Sequence, residues 1–185
     1  MYQIKLTGSG GQGIIIAGEI LAYAAVLDGK EGSAISSYGS AARGGMTTSE
    51  VIIDDKFIAA PFAEKPDYII ALSQSSYNEI IKLQPTSSLP TYIIDSSIIV
   101  PNPDLPNQLQ IPATEIASKD LKSIVSANMI ILGFFAGYTK ILKKESFVSA
   151  IKKQVLEKYV GINIKAFEIG YEQGLKVTNN SNGSK

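Results

Sequence analysis

The 185-residue sequence contains no cysteine, no histidine and no tryptophan. Without thiolates the chain cannot ligate an iron–sulfur cluster, build a cysteine-based zinc site, form a disulfide or use a cysteine nucleophile. Without imidazole it also lacks the commonest general base and transition-metal ligand. Catalysis by this chain alone would depend on carboxylates, lysine, tyrosine or the backbone. The composition therefore disfavours a self-sufficient enzyme.

Long hydrophobic runs are absent too, because glycine or polar residues interrupt each apolar stretch well before the ~20 residues that a membrane span needs. Met1 leads straight into strand-like sequence without the basic and apolar blocks of a signal peptide, which predicts a cytoplasmic protein. The 17 basic and 17 acidic residues cancel, so no net charge attracts nucleic acid or an anionic membrane. We expect neither as a partner.

The charges are nevertheless segregated along the chain. Residues 1–118 carry 6 basic and 12 acidic groups, whereas residues 119–185 carry 11 basic and 5 acidic groups. The C-terminal lysines are expected to solvate the outer faces of helices, or alternatively to form a docking surface for an acidic partner subunit. The apolar segment Gly133-Phe134-Phe135-Ala136-Gly137 suits a contact face of such an assembly.

Apolar patterning predicts an α/β fold: Rossmann-like, three-layered, with a mostly parallel but mixed sheet, an inserted β-hairpin and C-terminal helices. The predicted strands cover residues 2–6, 33–36, 68–72, 91–95 and 108–111, and the hairpin pairs 47–53 with 56–59. The predicted helices cover residues 14–27, 74–83, 114–119, 126–143, 144–159 and 162–175. Ser73, Asn128 and Asn163 are predicted helix caps. One domain is expected over residues 1–176, followed by a flexible polar tail at 177–185.

Four glycines lie within residues 8–13, here called the glycine loop, between the first strand and the first helix. Gly8, Gly10 and Gly13 fit the Gly-x-Gly-x-x-Gly pattern, in which backbone N–H groups at a helix N-terminus receive a pyrophosphate. A dinucleotide site also needs an acid at the end of the second strand, and Tyr38 stands there instead. The alternative is that the glycines only let the helix pack close to the sheet. Four glycines in six residues exceed what packing requires.

Arg43 is the only arginine of the chain, and Gly44 and Gly45 follow it. Its guanidinium can offer a planar fork of donors to a phosphate, with room for close backbone approach. The loop that carries it follows the second strand, so it is expected to converge with the glycine loop at the carboxyl ends of the strands. An intersubunit or structural salt bridge is the alternative for Arg43. Tyr38 can stack on an adenine or simply pack.

Three segments together resemble the gamma subunit of 2-oxoacid:acceptor (ferredoxin or flavodoxin) oxidoreductases: Thr7-Gly8-Ser9-Gly10-Gly11-Gln12-Gly13, the helix after it, and Tyr38-Gly39-x-x-x-Arg43-Gly44-Gly45. The resemblance covers roughly residues 2–175 and continues through 67–72, 126–129 and 163–170. One departure is Ser40-Ala41, where family members often have Pro-Glu.

The resemblance implies an accessory subunit of an enzyme that decarboxylates a 2-oxoacid, such as 2-oxoglutarate or pyruvate, and passes electrons to ferredoxin or flavodoxin and the acyl group to coenzyme A. It implies that thiamine diphosphate and iron–sulfur clusters belong to alpha, beta and, where one is present, delta subunits of the hetero-oligomer. This chain, inactive alone, would support assembly and coenzyme A binding. A free-standing nucleotide-binding oxidoreductase and a purely structural subunit are the alternatives.

Taken with the anion-site pattern, the resemblance predicts a shared coenzyme A site and assigns no catalytic residue and no metal ligand to this chain. The predicted binding residues are Gly8, Gly10, Gly11, Gln12, Gly13, Tyr38, Arg43, Gly44 and Gly45.

Overall fold

All the described strands lie in the first 111 residues of the chain, with two helices between them, and helices follow from residue 113. The structure, a computed structural model, describes residues 1–39, 45–83 and 89–182, with side chains up to residue 179. Its strands are β1 (Tyr2–Ser9), β2 (Glu31–Tyr38), β3 (Met46–Asp54), β4 (Tyr68–Ala71), β5 (Thr91–Asp95) and β6 (Gln108–Ile111). Its helices are α1 (Ile14–Leu27), α2 (Gln74–Leu83), α3 (Ala113–Leu121), α4 (Ala127–Thr139), α5 (Lys144–Gln154) and α6 (Glu157–Asn182), with a 3₁₀ turn at Ile124–Ser126.

The six strands form one mixed sheet in the order β2-β3-β1-β4-β5-β6. β1, β4, β5 and β6 are parallel neighbours, whereas β3 is antiparallel to both β1 and β2. β2 therefore runs in the same direction as β1, with β3 between them. The predicted mostly parallel, mixed sheet is confirmed.

The antiparallel pair differs from the predicted hairpin. Residues 56–59 form no strand, and β3 pairs instead with β2, from Glu31↔Asp54 to Tyr38↔Thr47. Because β1 and β2 occupy both edges of β3, no edge is left for a strand at 56–59. The Glu50 carboxylate also accepts the Ala63 backbone N–H at 2.8 Å, which holds the segment after β3 against the sheet.

Both faces of the central strands are covered, as the three-layer prediction requires. Ile4, Leu6 and Ile70 contribute to a core shared with α1, α4 and α6, whereas Ile69 and Ala71 face the smaller core beneath α2. Ser73 caps α2 as predicted, since its hydroxyl accepts the Ser76 N–H at 3.3 Å. None of the helices in the described ranges is long and apolar enough to cross a membrane.

Glycines form a close seam between α4 and α6. A Cβ placed on Gly170 would lie 1.8 Å from the Ile130 carbonyl oxygen, so the two helix backbones touch. The residues that form this seam are Gly133, Gly137, Gly170 and Gly174. The prediction of a contact face at residues 133–137 is therefore wrong, because that segment is buried against α6 of the same chain.

Helix ends in the C-terminal half differ from the predicted ones. α4 ends at Thr139, where Lys140 takes a left-handed conformation, and α5 ends at Gln154 before an extended Val155. α6 continues through Asn182, so regular structure extends beyond the predicted tail boundary at Val177. Thr178 stabilises the added turns by donating its hydroxyl proton to the Tyr138 carbonyl at 2.9 Å. Residues 183–185 of the predicted tail lie outside the described residues.

Candidate functional site

The glycine loop leaves the carboxyl end of β1 and ends where α1 begins. Gly11 and Gly13 have φ values of 88° and 70°, which a residue with a side chain rarely adopts. Gly13 is the N-cap residue of α1, no side chain of the described residues caps this helix, and its first turn carries no acidic residue. The N-terminal N–H groups of α1 thus present a site suited to an anion.

The four glycines of the loop serve two different purposes. A Cβ on Gly8 would lie 2.7 Å from the Gln12 and Ile14 side chains, and one on Gly13 would lie 2.2 Å from the Asn128 amide. Close packing accounts for these two. A Cβ on Gly10 or Gly11 would meet nothing within 4 Å, so these two residues border open space. Packing alone does not account for Gly10 and Gly11, which favours the ligand interpretation for that half of the loop.

The side-chain amide of Gln12 fixes the shape of the loop. Its Oε1 accepts the Ser9 backbone N–H at 2.7 Å, and its Nε2 donates to the Leu72 carbonyl at 2.5 Å. Both ends of the side-chain amide are thereby committed to the carboxyl ends of β1 and β4. Gln12, predicted as a binding residue, acts in this structure as a brace that orders the loop.

Asn128 holds the loop from the side of α4. It is buried, with 5% of its surface exposed; its Nδ2 donates to the Gly13 carbonyl at 3.1 Å and its Oδ1 accepts the Met129 N–H at 2.8 Å. Asn128 is thus the second residue of α4, where it satisfies one first-turn N–H and joins two distant segments. The N-cap of α4 is Ser126, so the cap prediction is wrong for Asn128. It is also wrong for Asn163, which lies inside α6 and donates to the Tyr159 carbonyl one turn earlier.

Tyr38 lies beside the loop at the end of β2, with 75% of its surface exposed. Tyr38, Gly10 and Gly11 line a cavity of about 370 Å³, called here the Tyr38 cavity, together with the acidic Glu19. The structure thus brings Tyr38 and the glycine loop together, as the strand directions predict.

The segment that carries Arg43 begins and ends at this edge of the sheet. Arg43 and Gly44 lie outside the described residues, as do Ser40 and Ala41. Gly45 directly precedes β3, and the Gly39 N–H donates to the Met46 carbonyl at 2.7 Å, which brings the two ends of the segment together. The convergence of Arg43 itself with the glycine loop stays a prediction.

A larger cavity of about 620 Å³, called here the large cavity, opens on the other side of the loop. Gly11 and Gly13 form its border with the loop, and its walls come from α1, α4, α6, the 3₁₀ turn and the break between α5 and α6. Apolar side chains line most of it: Ile16, Val125, Met129, Leu156, Tyr159 and Ile162. Lys122 is the one charged residue among its described lining.

Sequence reasoning missed this cavity because its walls are distant in the chain. The Asn128–Gly13 contact, which borders the cavity, spans 115 positions. Leu156 is 69% exposed at a helix break that the sequence pattern placed later. Val125, which also lines the cavity, is likewise 69% exposed, but the sequence does not show exposure and neither residue belongs to a motif.

Comparisons with known proteins show which family the chain is similar to. The sequence profile of the family described as pyruvate ferredoxin/flavodoxin oxidoreductase matches residues 3–173. The chain is 39% identical over 175 residues to the 2-oxoglutarate synthase subunit KorC of Methanocaldococcus jannaschii, covering 92% of each chain. The solved gamma subunit of a keto/oxoacid ferredoxin oxidoreductase from Geobacter sulfurreducens is 32% identical, with a TM-score of 0.80 over 95% of this chain and 99% of that one.

A second solved structure contains the same fold within a longer chain. It is the 2-oxoglutarate:ferredoxin oxidoreductase of Magnetococcus marinus with 2-oxoglutarate, coenzyme A and succinyl-CoA bound, and it matches with a TM-score of 0.81 and 21% identity. The match covers 95% of this chain but 31% of that one. At this identity the likeness shows a shared fold.

Proposed function

Since the chain belongs to the pyruvate ferredoxin/flavodoxin oxidoreductase family and corresponds to its gamma subunits, we propose that it is the gamma subunit of a complex that oxidatively decarboxylates 2-oxoglutarate to an acyl-coenzyme A. The 39% identity to a 2-oxoglutarate synthase subunit supports that substrate over pyruvate. Thiamine diphosphate and iron–sulfur clusters belong to alpha, beta and, where present, delta partners, and the lack of cysteine in this chain agrees with the placement of the clusters. Ferredoxin or flavodoxin accepts the electrons, and the complex is cytoplasmic.

Within the complex, this chain holds coenzyme A by its pyrophosphate. The observation that carries this proposal is the open half of the glycine loop, Gly10 and Gly11, beside the uncapped N-terminus of α1. Gln12 and Asn128 hold the loop in shape before any ligand arrives, so little ordering entropy opposes binding. The chain itself moves no proton and breaks no bond; it binds and orients the acyl acceptor.

The second loop completes the site. Arg43 supplies a bidentate donor for a phosphate, and Gly44 and Gly45 leave room for the ligand to approach the backbone. Tyr38 is the exposed ring on this side and forms the wall of the Tyr38 cavity.

The topology argues against the free-standing nucleotide-binding oxidoreductase. In a dinucleotide fold the second strand lies beside the first and ends in the acid that holds the ribose. Here the antiparallel β3 separates β2 from β1, which moves the end of β2 one strand spacing of about 4.8 Å further away. β2 also ends in Ser36-Ser37-Tyr38, without an acid. The purely structural subunit is the remaining alternative, and coenzyme A binding distinguishes it.

Two variants of matched glycines test the coenzyme A site. Gly11 and Gly29 both have positive φ and open space where a side chain would project, but only Gly11 lies in the glycine loop. Gly11→Ala in the reconstituted complex should raise the KM for coenzyme A about tenfold, since its methyl group stands where the phosphate binds. Gly29→Ala carries the same backbone strain and should leave that KM unchanged. Equal KM values for both variants would favour the structural subunit.

The subunit assignment itself is tested by purifying the tagged chain from its own cells and identifying partners by mass spectrometry. Alpha and beta subunits in stoichiometric amounts are expected. Recovery of the tagged chain alone under gentle conditions would contradict the assignment.

A further inference from the structure

We propose that the large cavity receives the adenosine 3′-phosphate end of coenzyme A and that Lys122 pairs with the 3′-phosphate. This inference rests on the proposed function, because it takes the pyrophosphate to lie at the glycine loop. It adds a residue that recognises one particular group of the ligand, and it assigns a role to a cavity that no sequence pattern indicated.

The position of the cavity determines which end of the ligand it receives. The pyrophosphate joins the pantetheine arm to the nucleotide, so a pyrophosphate at Gly10 and Gly11 sends the two parts in different directions. The arm carries the thiol, which must reach the thiamine of a partner subunit and therefore leaves this chain. The nucleotide end is the part that stays, and the large cavity begins directly at Gly11 and Gly13.

The lining of the cavity suits a purine nucleoside. Val125, Met129 and Leu156 supply apolar surface for the faces of a flat ring. Polar groups lie among them: the Ser123 and Ser126 hydroxyls, which bond each other at 3.0 Å, and the Asn163 amide oxygen, whose amide nitrogen is committed to a backbone carbonyl. A volume of about 620 Å³ lies in the range of small-molecule sites.

Charge distinguishes the two cavities that flank the loop. Among the described residues, Glu19 is the one charged group that lines the Tyr38 cavity, and its carboxylate repels a phosphate. Arg43, which the proposed function places on that side, is already assigned to the pyrophosphate. The large cavity has Lys122 as its one charged described residue, and the Lys122 ammonium forms no ion pair with another residue of the described part of the chain. Lys158 is not among the lining residues, but its ammonium lies 4.8 Å from the centre of the ring of Tyr159, which is one of them. The phosphate-bearing end of the ligand therefore fits the large cavity better.

Lys122 has a structural counterpart that serves as a control. Lys122 ends α3 and Lys140 ends α4, both in the left-handed conformation with φ near 51° and 52°. The backbone N–H of each lysine donates to a carbonyl near the C-terminal end of its helix, but of the two only Lys122 lines the large cavity. Substituting either lysine by methionine removes one charge at the same kind of helix end. Any difference between the two variants then reports on the cavity.

The test compares coenzyme A with dephospho-coenzyme A, which lacks only the 3′-phosphate, in the reconstituted complex. Lys122→Met should raise the KM for coenzyme A about tenfold or more and leave the KM for dephospho-coenzyme A unchanged, because the lost contact exists only with the 3′-phosphate. Lys140→Met should change neither KM. An equal effect of Lys122→Met on both ligands, or no effect on either, would overturn the proposal.

Further readouts separate this proposal from the proposed function and from subunit docking. Gly11→Ala should weaken both ligands, so a weakened Gly11→Ala complex with an unaltered Lys122→Met complex keeps the loop site and rejects the cavity site. Leu156→Ala should weaken competitive inhibition by 3′,5′-ADP, which carries the nucleotide without the arm. Size-exclusion chromatography checks assembly of each variant. Loss of assembly on Leu156→Ala or Lys122→Met would show that a partner subunit covers the cavity, and would also overturn the proposal.

Discussion

The side chain of Asn128 donates a hydrogen bond to the carbonyl oxygen of Gly13 and thereby joins α4 to the glycine loop. This contact requires glycine at position 13, because a Cβ there would lie 2.2 Å from the Asn128 Nδ2. Two side-chain amides consequently hold the loop. Gln12 bonds the carboxyl ends of β1 and β4, and Asn128 bonds the loop from α4. Contacts within the fold therefore define its shape.

Asn128→Ala should therefore lower both stability and ligand affinity. Loss of a buried amide with two hydrogen bonds should cost about 1–3 kcal/mol of unfolding free energy, measured by urea denaturation. The loosened loop should also raise the KM for coenzyme A in the complex. Asn163→Ala removes an amide whose bond is local to α6, and should change stability by less than about 0.5 kcal/mol. Asn163 serves here as a control for stability only, and equal losses of unfolding free energy for the two variants would contradict a special role for Asn128.

The α4–α6 seam predicts a large difference between two glycines of the same helix. Gly170→Ala places a methyl group 1.8 Å from the Ile130 carbonyl oxygen, so the helices must separate, and we expect a loss of about 3 kcal/mol or more. A Cβ on Gly161 meets nothing within 4 Å, so Gly161→Ala should instead stabilise α6 by about 0.5–1 kcal/mol.

Thermal unfolding of the two glycine variants provides the measurement. A rise in Tm for Gly161→Ala together with a marked fall for Gly170→Ala would confirm the seam. If Gly170→Ala unfolded at the temperature of the original protein, α4 and α6 could not be in backbone contact.

Asp28 gives the protein an acid-sensitive contact between α1 and α5. Its side chain is 7% exposed; it accepts the Ser146 hydroxyl at 2.9 Å and the Lys143 backbone N–H at 3.3 Å, and it pairs with the Lys143 ammonium at 3.3 Å. Burial tends to raise the pKa of Asp28, but these hydrogen bonds and the Lys143 charge outweigh it and hold the pKa below its ordinary value.

The direction of the shift fixes the pH range in which stability changes. A lowered pKa means that the folded chain binds this proton less readily than the unfolded chain. The contribution of Asp28 is complete above its unfolded pKa of about 3.9 and is lost as the pH falls through the lower folded value. Asp28→Asn should cost about 1–3 kcal/mol near neutral pH and progressively less under acid conditions. Asp120→Asn, at an exposed carboxylate of α3, controls for the loss of one charge; the same pH profile for both variants would contradict this account.

The sequence predicted the elements of the fold better than their contacts. α1, α2, β5 and β6 appear at their predicted positions because their residue content and the glycine, proline or polar residues that flank them are local signals. The pairing of β3 with β2 was missed, because alternation shows that a segment is a strand but not which strand lies beside it. The buried segment 133–137 was misread for a similar reason, since an apolar helix has the same composition against a partner as against its own chain.

The sequence indicated those parts of the candidate site that are contiguous in the chain or that follow from strand direction. The glycine loop is contiguous, and its neighbour Tyr38 followed from the common direction of β1 and β2. The large cavity, by contrast, depends on helix ends at Lys122 and Gln154 that no glycine or proline marks. Lys122 adopts a left-handed conformation that glycine usually supplies, so its sequence gives no stop signal.

Arg43 provides the last prediction, because it is the only arginine and lies in the segment between Tyr38, which lines the Tyr38 cavity, and β3. Arg43→Ala should raise the KM for coenzyme A in the assembled complex about ten- to a hundredfold, as expected for loss of a charge-assisted contact. Arg43→Lys keeps the charge but loses the planar fork, so its KM should lie between those of the original protein and Arg43→Ala. Decarboxylation of the 2-oxoacid, followed with an artificial electron acceptor, should change little in either variant, because the proposed function assigns no group of this chain to that step. The isolated chain should show neither activity nor bound iron.

Size-exclusion chromatography separates a ligand contact of Arg43 from a role in assembly. An assembled Arg43→Ala complex with an unchanged KM would leave Arg43 a structural role, whereas a failure to assemble would make it a subunit-interface residue.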